Sequence, residues 1–293
     1  MRSKRLNLFI YFISGLVIIS LVVLGYFFFL VDLPPKGMLR IIFLDVGQGD
    51  AILIQTPDQQ NILIDGGPDK NIIYKLDKYI PFNHRQIDIM IATHADLDHI
   101  TGLTETLARY SVKAVLDNGL QGSAPAYTQW QSSIKEKNIY QMTVNAPQII
   151  DLGDQVSLEF LWPNQELIKE LEPDNNFASI VVKLIYGQHS FLLTGDATQE
   201  TEQELIKLYD YLEAEVLKVG HHGSKYSSGL EFLQKVRPRY GIISSGEENK
   251  FGHPNLRVLK NLEKIDARIL RTDQKGDIIF ISNGKELKIK VEK

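Results

Sequence analysis

The chain has 293 residues, carries 32 Lys and Arg against 36 Asp and Glu, and contains no cysteine. Disulfides and thiolate metal ligands are therefore excluded. Setting aside the three basic residues of the opening MRSKR leaves 29 basic against 36 acidic side chains, a net of −7, so no broad field draws nucleic acid to the surface.

Residues 6–31, LNLFIYFISGLVIISLVVLGYFFFLV, carry no charge. At about 1.5 Å per residue, roughly 20 apolar residues span a bilayer core. Residues 1–31 are therefore expected to be an N-terminal membrane anchor, with MRSKR in the cytoplasm and the rest of the chain outside. The alternative is a cleaved signal peptide, but its apolar part is usually about 7–15 residues and ends on small side chains. Here the run ends in bulky YFFFLV. Residues 32–38 form a Pro-rich linker, and 39–293 suit one large domain.

Short β-like runs open that domain: LRIIFLD, AILIQT and NILID, with turns at DVGQGD and DGGPD. NIIYKLDKYI predicts a helix and IDIMIAT a buried strand. A helix over 99–110 follows, with Asp98 placed as its N-cap. KAVLD reads as a strand and PAYTQWQSSIKEKN as a helix with Pro in its first turn. VSLEFLW, ASIVVKLIY and HSFLLTGD read as strands, TQETEQELIKLYDYL as a helix, and EVLKVG as a strand running into HHGS. SGLEFLQKV (helix), RYGIISSG (strand), NLRVLKNLEKI (helix) and two or three closing strands complete the chain. Two halves of this kind imply two sheets face to face with helices outside, an α+β four-layer αββα sandwich preceded by one transmembrane helix.

The segment IATHADLDHITGL sets His94, Asp96, Asp98 and His99 on one strand-to-helix bend. Side chains at those positions converge, and imidazole with carboxylate suits zinc or manganese. Four ligands on one bend exceed what one ion takes from a single segment, so two divalent ions are expected.

These residues resemble the HxHxDH signature of metallo-β-lactamase-fold hydrolases, with aspartate in place of the second histidine. The chain is similar to the extracytoplasmic metallo-β-lactamase-like domain of ComEC/Rec2 DNA-uptake proteins over residues 39–292. The resemblance rests on FLDVGQGDAILI, ILIDGG, THADLDHITGL, DNNFASIVV, FLLTGDA, LKVGHHGSKYSS, the FGHPN loop and RTDQKGDI, in that order. One anchor stands where the transporter has many membrane spans. The resemblance implies that His94, Asp96, Asp98 and His99 are metal ligands and that Asp196 bridges the ions. Of His221 and His222, one is expected to bind metal and the other to contact or protonate substrate. His221, nearer the strand end, is assigned the metal and His222 the catalytic role. His253 is a ligand, a general acid or a loop residue, and is assigned a catalytic place. Asp45, Gln48 and Asp50 are expected to border the site or support its ligands, and Asp65 to orient a histidine or close a turn. Many relatives carry a third histidine where this chain has Asn175, Asn176 and Ser179, which weakens the case for the second ion. Ser224 and Lys225 are candidates for phosphate binding.

Three functions compete. The first is a membrane-anchored, metal-dependent phosphodiesterase or nuclease acting on DNA outside the cytoplasm, alongside DNA-uptake machinery. The second is a hydrolase of a small ester, such as a phosphorylcholine-type phosphoester or a lactone. The third is a non-catalytic metal-binding scaffold. For a polyanion, Lys218, Lys225, Arg237, Arg239, Lys250 and Arg257 would form a basic lip.

Overall fold

The structure, a computed structural model, describes residues 11–20, 25, 35–122, 124–168 and 175–293. The expected anchor, residues 1–31, lies mostly outside the described residues; residues 11–20 are helical. Among the described residues no helix is long and apolar enough to cross a membrane.

Fifteen strands are formed among the described residues. Those of the first half are β1 (Leu39–Phe43), β2 (Ile52–Gln55), β3 (Asn61–Ile64), β4 (Gln86–Ala92), β5 (Ser111–Asp117) and β6 (Tyr140–Thr143). There follow β7 (Gln148–Gly153), β8 (Val156–Trp162), β9 (Val181–Tyr186), β10 (His189–Leu193), β11 (Val216–Lys218), β12 (Tyr240–Ile243) and β13 (Arg268–Arg271). β14 (Ile278–Ser282) and β15 (Leu287–Val291) close the chain. The first sheet runs β15-β14-β1-β2-β3-β4-β5-β6 and the second β13-β12-β11-β10-β9-β8-β7.

Alternation along the strands builds the layers. Ile41, Phe43, Ile52, Ile54, Ile62 and Ile64 point inward, against Leu158, Phe160, Val182, Leu184, Phe191 and Leu193 of the other sheet. Phe280 closes this core edge-on to Phe43 and Phe191, at centroid distances of 5.9 and 5.5 Å. The opposite residues of the first sheet (Ile42, Leu53, Leu63 and Met90) pack under helices Asn71–Tyr79 and Leu97–Arg109. Helices Gln199–Leu208, Leu230–Val236 and Leu256–Lys264 cover the second sheet in the same way. The expected four-layer order of two helix-flanked sheets is thus present.

In each sheet the strands of one half run parallel, from the middle to the edge: β3 to β6 in one, β10 to β13 in the other. Their carboxyl ends therefore open on a shared edge, where loops are free of ladder bonds and can carry chemistry.

The loop after β3 lies directly on the helix that follows β4. Gly66 N–H donates to His99 O at 2.8 Å, and Gly102 N–H donates to Gly67 O at 3.0 Å. A Cβ on Gly102 would stand 1.8 Å from Gly66 O, so only glycine permits this approach. Gly102→Ala is expected to push the helix off the loop and lower the unfolding midpoint in urea, by roughly 2–3 kcal/mol of stability. A midpoint unchanged within error would contradict this.

The helix begins at Leu97 with Asp96 as its N-cap, not at His99 with Asp98. Asp98 lies within the first turn, which frees its carboxylate to face the site.

Candidate metal centre

The two sheets deliver their ligands from opposite sides. β4 ends at Ala92 and leads directly into Thr93–His94, and the helix start supplies Asp96, Asp98 and His99. From the second sheet, β10 runs into Asp196 and β11 into the turn Gly220–Gly223 that carries His221 and His222. Both histidines have left-handed backbones, φ 48° and 53°. For non-glycine residues that conformation costs on the order of 1–3 kcal/mol each and persists where the surroundings enforce it.

His94, His99, His222 and Asp196 are all buried. The His94 and His99 rings lie 4.0 Å apart and those of His99 and His222 5.4 Å apart. His99 Nε2 is 3.5 Å from Asp196 Oδ2, and His222 Nε2 is 3.3 Å from both Asp98 Oδ2 and Asp196 Oδ2. His94 Nε2 is 3.6 Å from Asp96 Oδ2. The Nε2 atoms of His94, His99 and His222 and Asp196 Oδ1 nevertheless find no hydrogen-bond partner among the described residues. Such orphaned buried atoms normally carry a heavy free-energy penalty. Their ligand atoms form overlapping groups within 4.8 Å: His94, His99 and Asp196; Asp98, His99 and His222; Asp50, Asp196 and His222. This donor set fits divalent cations.

The other ring nitrogens are tied down. His222 Nδ1–H donates to Ser244 O at 3.0 Å. His99 Nδ1 bonds Asp65 Oδ2 at 2.8 Å. The same Asp65 oxygen accepts from Thr93 Oγ1 at 2.7 Å, and Thr93 Oγ1 in turn lies 3.0 Å from His94 Nδ1. Asp65 Oδ1 accepts Thr93 N–H at 2.8 Å. One carboxylate thus orients two imidazoles with their Nε2 lone pairs turned into the cluster. Asp65→Asn is expected to weaken divalent-metal binding about 10–100-fold. Calorimetric titration of the metal-free protein reads this directly; an unchanged Kd would remove Asp65 from that role.

The electrostatics follow from burial and crowding. Burial alone would pull His99 and His222 down, but Asp196, with Asp65 for His99 and Asp50 for His222, holds both well above the ordinary imidazole range. Burial opposes the charge on Asp196, yet His222 and His99 hold it well below the usual carboxylate range. Without metal, the cluster needs imidazolium charge to balance its carboxylates. Divalent cations supply that balance and release the protons.

His221 and His222 differ from expectation. His222 belongs to two of the ligand groups, whereas His221, the expected ligand, belongs to none. His221 Nε2 reaches only 3.8 Å from Asp196 Oδ2, and its ring sits nearer the surface, 5.7 Å from that of His253. His253 stacks on Phe251 at 5.8 Å and is pushed down to about 4 by desolvation and the neighbouring histidines.

The remaining expected residues divide. Asp50 is buried at the floor of the cluster, its Oδ1 3.4 Å from His222 Nδ1. Gln48 accepts Gly246 N–H at 3.3 Å and lines the cleft. Asp45 does not border the site: its N–H donates to Asp277 and its carboxylate faces Lys293, because the chain turns away at the end of β1. Ser224 Oγ accepts Tyr226 N–H at 3.3 Å and serves its own turn. Asn175 Nδ2 donates to Asp96 Oδ1 at 3.1 Å, and Ser179 Oγ accepts Asp196 N–H at 3.0 Å, so this segment steadies two ligands. Asn176 Oδ1 has no partner among the described residues.

Thr93, Ser244 and Lys218 were missed as parts of the site. Lys218 had been placed on a basic lip, but it is fully buried; a lysine within the apolar strand VLK was the available signal. Arg237 and Arg239 are paired with Glu213 and Glu215, and Arg257 donates to Ser227 O, so the lip does not form as expected. A cleft of about 540 Å³ opens beside Asp96 and Asp98, walled by Pro68, Leu97, Phe251 and Lys250.

Two helix-flanked sheets that share one histidine–aspartate cluster at their open edge define a metal-dependent hydrolase fold. The chain belongs to the metallo-beta-lactamase superfamily, whose family model matches residues 44–247. It is 34% identical to ComE operon protein 3 of Bacillus subtilis over 258 residues, covering 81% of this chain and 32% of that protein. It is 28% identical to competence protein ComA of Neisseria gonorrhoeae over 265 residues, covering 89% and 35% respectively. The chain therefore spans about a third of the length of these curated relatives. Among solved structures, the metallo-beta-lactamase fold protein YhfI from Bacillus subtilis superposes with a TM-score of 0.57 at 14% identity, over 84% of this chain and 100% of that one.

Proposed function

We propose that the chain is a metal-dependent phosphodiesterase acting on DNA outside the cytoplasm, held at the membrane by residues 1–31 and working with DNA-uptake machinery. The observation that carries the chemistry is the convergence of three orphaned imidazole Nε2 atoms and Asp196 beside an open cleft. Homology to competence proteins supports the choice of DNA. In this reading His94, His99 and Asp196 would hold one ion of zinc or manganese, with Asp96 beside His94, and Asp98, His222 and Asp196 would hold the other. Such ions supply Lewis acidity toward a phosphoryl oxygen and acidify water.

The residues around them do the rest. Asn175 and Asp65 fix ligand directions. Leu97, Pro68 and Phe251 exclude water from one side of the cleft, and Lys250 offers a cation to a phosphate oxygen. His221 and His253 stand at the rim; burial and the neighbouring positive charge keep both neutral, so one of them takes the proton of the attacking water and passes it to the leaving oxygen. His221 and His222 thereby exchange the roles first assigned to them.

The test is cleavage of labelled single- and double-stranded DNA by the full chain with manganese or zinc. Chelator and His94→Ala should each abolish it. Metal-independent cleavage, or cleavage that His94→Ala retains, would overturn the assignment.

The burial of Lys218 and the pairing of Arg237 and Arg239 favour a second reading, a compact phosphoester in place of a long polyanion. Salt separates the two: binding of DNA falls steeply with ionic strength, binding of a small ester does not.

A further inference from the structure

Lys218 has no part in the chemistry above, yet it is the most deeply placed charge in the centre. It ends β11, and its side chain has no exposed surface. Nζ donates to Gly195 O at 2.8 Å, pairs closely with Asp50 Oδ2 and lies 3.7 Å from Asp196 Oδ1. Burying an ammonium without partners is prohibitive, so these oxygens hold it in place.

Its position matters because of what Asp50 would otherwise do. Asp50, Asp196 and His222 bring ligand atoms within 4.8 Å of one another, a grouping able to take a cation by itself. Asp50 is fully buried and already near His222 Nδ1. A lysine ammonium and a divalent ion compete for the same carboxylate lone pairs. In this chain the lysine lies against Oδ2, while Oδ1 stands 3.4 Å from His222 Nδ1.

We propose that Lys218 is a resident cation of the centre, which holds Asp50 out of metal coordination and so confines divalent ions to the positions served by His94 and by Asp98. Lys218 acts through Asp50 and Asp196 and is a positioning residue, not a catalytic one. The fixed positive charge also offsets part of the five-carboxylate surplus of Asp50, Asp65, Asp96, Asp98 and Asp196. The proposal rests on the reading of the cluster as a metal centre.

The test is titration of the full, metal-free chain with manganese, followed by calorimetry and elemental analysis, without any substrate. Lys218→Met keeps the length of the side chain and removes its charge. It should lower the apparent Kd for manganese at least tenfold, because a repelling charge is lost and Asp50 is released as a ligand. Asp50→Asn should do the opposite and raise Kd at least tenfold, since Lys218 then turns to Asp196 and competes with the metal there. The double variant should fall within about threefold of the wild type.

A folded Lys218→Met protein with unchanged or weaker binding would overturn the proposal, as would Asp50→Asn binding as tightly as the wild type. If Lys218→Met fails to fold, as judged by circular dichroism, Lys218→Gln, which keeps a donor to Asp50 and Gly195 O but removes the charge, takes its place, with the same tighter binding expected. Failure of the wild-type protein to bind either manganese or zinc would remove the metal-centre reading and this proposal together. Binding by the wild type with neither variant shifted would remove this proposal alone.

Discussion

Replacing His222 by alanine should lower the divalent-metal content of the protein and cost at least about a thousandfold in hydrolysis, while His221→Ala should leave the metal content unchanged. The asymmetry follows from geometry. His222 Nε2 is equidistant, at 3.3 Å, from Asp98 and Asp196, and its ring is fixed through Nδ1 by Ser244 O. Alanine there removes a ligand whose place no neighbour can take without unwinding the left-handed turn. His221 is farther from Asp196 and partly exposed, so its loss should slow turnover by about 10²–10⁴, the usual worth of general acid–base catalysis, with metal content unaltered. Elemental analysis and single-turnover rates on the two variants separate the roles. Loss of metal from His221→Ala with full loading of His222→Ala would restore the opposite assignment.

The largest expected loss of stability lies far from the metal. Asp277 is fully buried just before β14 and gathers four groups. It accepts Asp45 N–H at 2.9 Å, the Tyr79 hydroxyl at 2.7 Å and Lys75 Nζ at 2.8 Å, with Lys78 Nζ at 3.5 Å. Asp277→Ala would remove an acceptor from the buried Tyr79 hydroxyl and from a backbone N–H, and would leave Glu292 as the remaining carboxylate for the partly exposed Lys75 and Lys78. Removing one side of a buried pair costs about 3–5 kcal/mol. Since Lys75 and Lys78 retain access to water, about 3 kcal/mol is expected, measured as a shift of the urea midpoint at constant slope. A loss below about 1 kcal/mol would show that the network contributes little. Metal affinity should stay near that of the parent, because Asp45 faces away from the ligands.

Much of this fold was legible because its strands are uniformly apolar and its helices are bounded by turn residues. The exceptions are instructive. β6 (YQMT) and β7 (QIIDLG) lie at the sheet margins with most side chains partly or fully exposed, so no apolar run marks them. In the site, His94, Asp96, Asp98 and His99 could be placed together because a strand-to-helix bend makes neighbours in sequence neighbours in space. The meeting of Asp65 with His94 and His99 depends on β3 and β4 pairing side by side in one sheet, and that of Lys218 with Asp50 on how the two sheets face each other. Nothing local in the sequence encodes that. That His222 is the buried ring and His221 the outer one was not legible either: two consecutive left-handed residues set which ring points inward, and distance from the strand end does not record backbone handedness.

The pairing of β1 with β14 has a consequence for how the chain acquires its shape. β1 is hydrogen-bonded on one side to β2, close in sequence, and on the other to β14, which begins at Ile278. During synthesis the strands from β1 to β6 can assemble early, but that edge of β1 stays bare until β14, which begins at Ile278, has been made. An apolar strand with an open ladder is a template for pairing with other chains. A growing or prematurely terminated chain that stops before β14 is therefore the species most exposed to aggregation, and a chaperone or prompt export would have its greatest effect in that interval.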